Sequence, residues 1–301
     1  MALKLAFINN KGGSSKTTSA VNIAGAYARK NPDKKVLIVE SDGQGNATRS
    51  FNLKADSYDK TMYDVFMGNE NAEDCIINAY QNIDLIPANN DMNFVEFDEM
   101  KRYEDVVNEK MYSLIKSLDG YELSDLKFED FKKILSSKGE NLTDNYFNML
   151  KGKLDNIDKM YDLIIFDTPP EIKAVTSSVL AIADEVIIPF EPDLYSVDGI
   201  RNILSRITSI KKQLNKDLHI AGVLAAKVKR QTKLHLDIIN SMMKWCNKNS
   251  IYYFDTEIPN SIRFASATSY NGLPATLVLE DNTFVKSYYY LLDELEEMNI
   301  I

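Results

Sequence analysis

The sequence predicts an α/β fold, a mostly parallel, twisted sheet with helices on both faces. Three observations point there. Near-continuous apolar runs of strand length recur along the chain, helix-like patterns alternate with them, and polar or glycine-bearing turns follow directly on several runs. Strands covered on both faces read as unbroken apolar runs, and the helices between them supply the crossovers that parallel pairing requires.

The first run, Leu3 to Ile8, stops at Asn9-Asn10. A helix-compatible pattern follows from Thr17 to Arg29, with Val21, Ala24 and Ala28 on one side, until Asn31-Pro32 ends it. A second run, Lys35 to Val39, leads into Glu40-Ser41-Asp42-Gly43-Gln44-Gly45-Asn46. Further strands are expected over 84–88, 162–166, 185–190, 218–225 and 251–254. From Met92 to Leu118, apolar residues such as Phe94, Phe97, Met100 and Val107 keep helical spacing until Asp119-Gly120. Thr143 reads as the N-cap of another helix through Phe147, Leu150, Leu154 and Ile157. With no Pro/Gly/Ser linker in view, these helices are expected as an elaboration at about 92–160 of a single domain covering 1–301.

Composition narrows the function classes. A chain of 301 residues with 45% hydrophobic content can bury a substantial core. Cys75 and Cys246 are isolated, which argues against a disulfide framework and for a reducing cytoplasm. His219 and His235 have no Cys or carboxylate cluster at ligand spacing, which argues against a transition-metal centre. No basic-then-apolar leader is seen, and every apolar run is too short to span a bilayer. The net charge of −9 is uneven: Gly199 to His235 holds Arg201, Arg206, Lys211, Lys212, Lys216, Lys227, Lys229, Arg230 and Lys233 against Asp217 alone, a local +8. A basic block inside an acidic protein is a candidate polyanion surface.

The chemistry concentrates at strand ends, where ligands of such sheets bind. Asn9 to Thr18 has the strand, turn, helix order of a phosphate loop. Gly12 and Gly13 let backbone N–H groups curl round phosphate oxygens, Lys16 can reach the outer phosphates, and the Thr17 hydroxyl can ligand Mg²⁺. The helix N-terminus adds its partial positive charge. The strict pattern G-x-x-x-x-G-K-[ST] is not met, because Asn10 and Ser15 occupy the two glycine positions. Asp42 follows the second run, and Asp167 ends the run Asp162 to Phe166, where a carboxylate can hold Mg²⁺ through water. A second lysine, Lys11, lies five residues before Lys16.

Lys11-Gly12-Gly13-Ser14-Ser15-Lys16-Thr17-Thr18, Asp42-Gly43-Gln44-Gly45-Asn46 and Asp167-Thr168-Pro169-Pro170 together resemble the ParA family of partition ATPases. This is the deviant Walker A group with a P-loop NTPase-like fold that also includes MinD. Ala183 to Pro189 and Ile258 to Arg263 are similar to later segments of the family, and 119–142 is the main stretch without a counterpart. Departures are Ser15 for glycine, Glu40 for the first Asp of the second motif, Gly43 for proline, and Lys229 where many members carry Asp.

The resemblance implies ATP and Mg²⁺ as cofactors and slow ATP hydrolysis. It implies that Lys11 reaches the nucleotide of a second subunit in an ATP-bound homodimer. Lys16 would contact the β- and γ-phosphates, Thr17 and (through water) Asp167 would hold Mg²⁺, and Asp42 would position the attacking water. Gly12, Gly13, Ser14, Ser15 and Thr18 would line the phosphates, with Pro259 and Asn260 near the adenine. The basic block from Arg201 to Lys233 would bind non-specific DNA, placing the ATP-bound protein on the nucleoid, and a centromere-binding adaptor would stimulate hydrolysis. The match is to the short form, without an N-terminal helix-turn-helix domain. A MinD-like positioning role is the alternative for a protein or membrane cargo, although the acidic end Asp293-Glu294-Leu295-Glu296-Glu297 argues against lipid binding. A nucleotide-dependent scaffold that Ser15 has made hydrolysis-deficient is a further alternative. Tyr288-Tyr289-Tyr290 falls in a helical pattern with Leu291 and Leu292 and reads as packing.

Overall fold

The computed structural model describes residues 1–117, 147–193 and 196–301. Seven strands form one sheet: β1 Leu3–Phe7, β2 Val36–Glu40, β3 Ile77–Tyr80, β4 Ile83–Ile86, β5 Leu163–Asp167, β6 Glu185–Phe190 and β7 His219–Ala225. Their order is β3-β4-β2-β5-β1-β6-β7. Every pairing is parallel except β3 with β4.

Alternation along each strand explains the unbroken apolar runs. Leu5 and Phe7 of β1 enter one core with Ile38 and Ile165, while Ala6 enters the other with Val39 and Phe166. Both faces are buried, so the central strands read as unbroken apolar runs up to the carboxylates that end β2 and β5. Helix α1 (Lys16–Lys30) covers the first face. The C-terminal helix Lys286–Glu297 joins it there through Tyr288, Leu291, Leu292 and Leu295. The second face is covered by Ala174–Leu180, Ser196–Gln213 and Lys233–Lys248. Helices thus leave β1 and β5 toward opposite faces, and the crevice between their carboxyl ends is open for a ligand.

The observed fold departs from the expected one in three places. The run 251–254 does not extend the sheet: it meets β7 at one bridge, Val223 to Tyr253, flanked by Val223 N–H to Tyr252 O (2.9 Å) and Phe254 N–H to Val223 O (3.1 Å). Strand β3 is not among the expected strands, because Ile77-Asn78-Ala79-Tyr80 is a four-residue, half-exposed edge with little apolar signal. The helix expected from Thr143 is not formed over its described part. Residues 147–156 make successive turns and Ile157–Lys159 a single 3₁₀ turn, with Gly152 at φ 78° breaking any helical run. The helix expected from Met92 is present as a 3₁₀ turn, Asn90–Phe94, followed by α-helix Val95–Ser117. Thr143 and Leu118 lie outside the described residues.

Candidate functional site

The loop from Asn9 to Lys16 is built by its own polar side chains. Asn9 Nδ2 donates to Pro189 O (2.6 Å), and its Oδ1 accepts from the Lys11 N–H (2.8 Å), so one residue anchors the loop to β6 and begins the turn. Gly13 then takes φ 74° and Ser15 φ 71°, both left-handed. At Ser15 that conformation is held by a residue with a Cβ, immediately before α1. The sequence departure at Ser15 is therefore a point of backbone strain.

Lys16 opens α1 and is 6% exposed. Among the described residues its ammonium makes one hydrogen bond, a weak one at 3.4 Å to Lys11 O. Burial pushes the Lys16 pKa down, and the nearby Asp167 and Asp42 carboxylates oppose that shift. A desolvated ammonium with unfilled donors at a helix N-terminus is a strong receptor for an anion.

Beneath it the strand ends bring carboxylates together. Glu40 and Asp167 are register partners on β2 and β5, and both are fully buried. Glu40 is satisfied: its Oε1 accepts from the Ala47 N–H (2.6 Å), and its Oε2 accepts from the Thr48 hydroxyl and the Ala88 N–H (3.3 Å). It thereby caps the short helix Asn46–Arg49 that follows Asp42. Burial nevertheless pushes its pKa up to about 7, against those hydrogen bonds. Asp167 has no such support. Both of its carboxylate oxygens are buried without a hydrogen-bond partner among the described residues. Burial first, and the Glu40 charge second, raise its pKa; the Thr17 hydroxyl and Lys16 ammonium lie near enough to oppose the shift, yet neither completes a bond to it. A buried carboxylate with both oxygens unpaired is costly unless something binds there.

The cavity above these groups has a volume of about 510 Å³. Gly12, Gly13, Ser14, Ser15, Lys16, Thr17, Thr18, Asp42, Pro259 and Asn260 all line it, so the structure gathers three sequence segments around one space. Asp167 does not line it but lies within reach of Lys16 and Thr17, which do; Lys11 lies outside it, and its ammonium pairs with Asp193 just past β6.

The sequence profile of the AAA domain matches residues 2–125 and 123–220. A ParA family protein of Mycoplasma genitalium is 27% identical over 284 residues, 91% of this chain and 89% of its own length. The sporulation initiation inhibitor protein Soj of Bacillus subtilis is 27% identical over 274 residues, 91% of this chain and 90% of its own. The chain belongs to the ParA family of AAA domains. Among solved structures, cobyrinic acid a,c-diamide synthase of Mycobacterium smegmatis with bound ATP analogue and magnesium superposes with a TM-score of 0.71. It is 20% identical and covers 98% of this chain and 94% of its own, a likeness of fold.

In this ParA-family chain the basic block spans both ends of β7. Lys211, Lys212 and Lys216 lie at the amino end of β7, whereas Lys227, Lys229, Arg230 and Lys233 follow its carboxyl end. Seven strand residues at about 3.3 Å each put roughly 20 Å between the two groups. Arg206 borders a shallow depression with Asn10 and Pro170. Arg201 pairs with Asp198 (3.1 Å) and lies over the Trp245 ring (5.6 Å), and Arg230 pairs with Glu257 (3.0 Å). Lys227 leaves the block altogether and lines the cavity.

Sequence reading missed further wall residues, among them Arg49, Phe264 and Tyr288. Tyr288 is fully buried, its hydroxyl 3.2 Å from Ser19 Oγ, and its ring packs edge-on to Phe264 at 5.4 Å. No spacing joins Ser19 to a residue 269 positions later; only helix packing does.

Proposed function

We propose that this chain is a partition ATPase that binds Mg²⁺–ATP, forms an ATP-bound dimer on non-specific DNA, and leaves it on hydrolysis stimulated by a centromere-binding partner. The observation that carries the reading is Asp167: a buried carboxylate with both oxygens unpaired among the described residues, beside a cavity walled by Lys16 and Thr17. Such a set suits Mg²⁺, which takes one or two carboxylates and keeps waters and phosphate oxygens in its remaining positions. The Soj relative, the ParA family relative and the fold shared with an ATP-analogue and magnesium complex support the same assignment.

Bound Mg²⁺ would neutralise charge on the outer phosphate oxygens. Thr17 and, through water, Asp167 are the residues that would hold it. Lys16, already desolvated, orients the β- and γ-phosphates without first shedding a hydration shell. Asp42, half-buried at the cavity wall with Oδ1 accepting from the Gln44 N–H (3.0 Å), holds the attacking water in line. Lys11 must leave Asp193 to serve a second subunit, so dimerisation and rearrangement of that ion pair are linked. A dimer doubles the basic surface offered to one DNA, and avidity turns weak contacts into retention.

The deciding experiment combines light scattering with DNA retention in a salt titration, using ADP, the non-hydrolysable analogue AMPPNP, and ATP, each with Mg²⁺. Dimers and DNA retention with AMPPNP but not ADP are expected. Absence of both defeats the proposal, and ATP-bound dimers without turnover, even with DNA and partner, favour a scaffold. The C-terminal helix buries Leu291, Leu292 and Leu295 in the protein core, which leaves those residues unavailable to lipid.

A further inference from the structure

The geometry points to Lys227 as a third lysine of the phosphate site, supplied across the cavity from the connection after β7. The inference rests on the nucleotide reading above and adds a residue to it. A methyl group built on Gly13 would sit 3.7 Å from the Lys227 Nζ, so this ammonium lies over the middle of the phosphate loop. Lys227 lines the same cavity as Lys16 and Thr17.

Its backbone is placed as firmly as the loop it faces. The preceding Ala226 N–H donates to Phe190 O (2.8 Å), and the following Val228 N–H donates to Ile258 O (3.0 Å). Asn260 N–H in turn donates to Val228 O (2.9 Å), which ties Lys227 to the segment carrying Pro259 and Asn260. Between these anchors Lys227 takes φ 54°, a left-handed conformation that a lysine adopts at a cost. Strain of this kind persists where the surroundings over-determine it, and it clusters at ligand sites.

Among the described residues the ammonium has no strong ion pair. Glu191 Oε2 is 3.9 Å away, at the limit of an ion pair, and both side chains are partly exposed. A polyphosphate in the cavity would offer Lys227 a denser negative charge than that single carboxylate. Lys229, Arg230 and Lys233 are exposed instead and lie outside the cavity, so the site separates Lys227 from its sequence neighbours. The positive charge is also needed locally. Asp42 stands on the wall of the same cavity, and a triphosphate must be held beside that carboxylate.

The test uses the full chain with Mg²⁺–AMPPNP in isothermal titration, comparing the parent with Lys227→Met, Lys227→Gly and Lys229→Met. Loss of one charge-assisted contact predicts about tenfold weaker AMPPNP binding for Lys227→Met. Lys227→Gly, which removes both charge and backbone strain, is expected to lose as much, and Lys229→Met to bind as the parent does. Thermal melting without nucleotide serves as the folding control, with Lys227→Met expected to match the parent. If Lys227→Met is folded and binds AMPPNP like the parent, the assignment to the phosphate site is overturned while nucleotide binding itself stands. A parent that binds no AMPPNP overturns both. DNA retention lost by Lys227→Met at unchanged nucleotide affinity would return Lys227 to the DNA surface and overturn the inference.

Discussion

Ser15 shows how one residue can work against the loop that contains it. A left-handed backbone costs a residue with a Cβ about 1–2 kcal/mol, and the glycine of the strict phosphate-loop pattern would avoid that cost. Glycine also gains about 0.4–1 kcal/mol of unfolded-state freedom, which offsets part of the benefit. Ser15→Gly is therefore expected to raise the stability of the apo protein by roughly 0.5–1 kcal/mol, read as an increase in the urea midpoint at constant slope. A fall in the midpoint would mean that the Ser15 side chain makes a contribution its backbone conformation conceals. Glu40 is a departure of the opposite kind. It replaces the shorter acid of the family pattern, and its longer side chain caps the helix after Asp42 and binds the Ala88 N–H.

At the scale of elements, β7 and the segment after Lys233–Lys248 illustrate packing that pattern cannot reveal. A Cβ at Gly222 would lie 2.8 Å from Phe254 Cε2 and 3.0 Å from Tyr252 O, inside the closest approach those atoms tolerate. Gly222→Ala must displace the bridge at Tyr253 or the Phe254 ring, an overpacking cost of about 1–3 kcal/mol. A lowered melting temperature with unaltered far-ultraviolet circular dichroism is the expected result. No loss of stability would show that the 251–254 segment can move freely against β7. That segment reads as a strand because Ile251-Tyr252-Tyr253-Phe254 is apolar and aromatic. It makes only one bridge, because the edge it approaches is reached at an isolated point.

For the whole molecule, the buried carboxylates couple stability to pH. The Glu40 pKa is about 7 in the folded protein against an ordinary 4.5, so the folded state holds more protons than the unfolded state between those values. Stability is then greatest at the lower end of this window and falls as pH rises through 7, by on the order of 3 kcal/mol if the whole shift is realised. Asp167, raised in the same direction, adds to that slope. Chemical denaturation without Mg²⁺ between pH 5.5 and 8 should show the decline. Glu40→Gln should flatten it, partly by removing the charge that raises Asp167. A parent slope that is flat, or a Glu40→Gln slope equal to the parent's, would contradict this account.

Much of the molecule could be read from the chain alone. Glycines, a lysine and hydroxyls between an apolar run and a helical pattern identify a phosphate loop because those atoms are local to one another. Six of the seven strands announce themselves as apolar runs, since burial on both faces leaves no other composition possible. Local spacing, however, carries no information about which side chains meet across the sheet. Only the tertiary structure pairs Glu40 with Asp167, leaves Asp167 unsatisfied beneath Lys16, and sets Tyr288 against Ser19. It also takes a basic block that looks continuous in sequence, divides it between the two ends of β7, and turns Lys227 inward over Gly13. The reason is geometric: an extended strand carries adjacent sequence roughly 20 Å across the molecule, while a single left-handed residue redirects one side chain into the cavity.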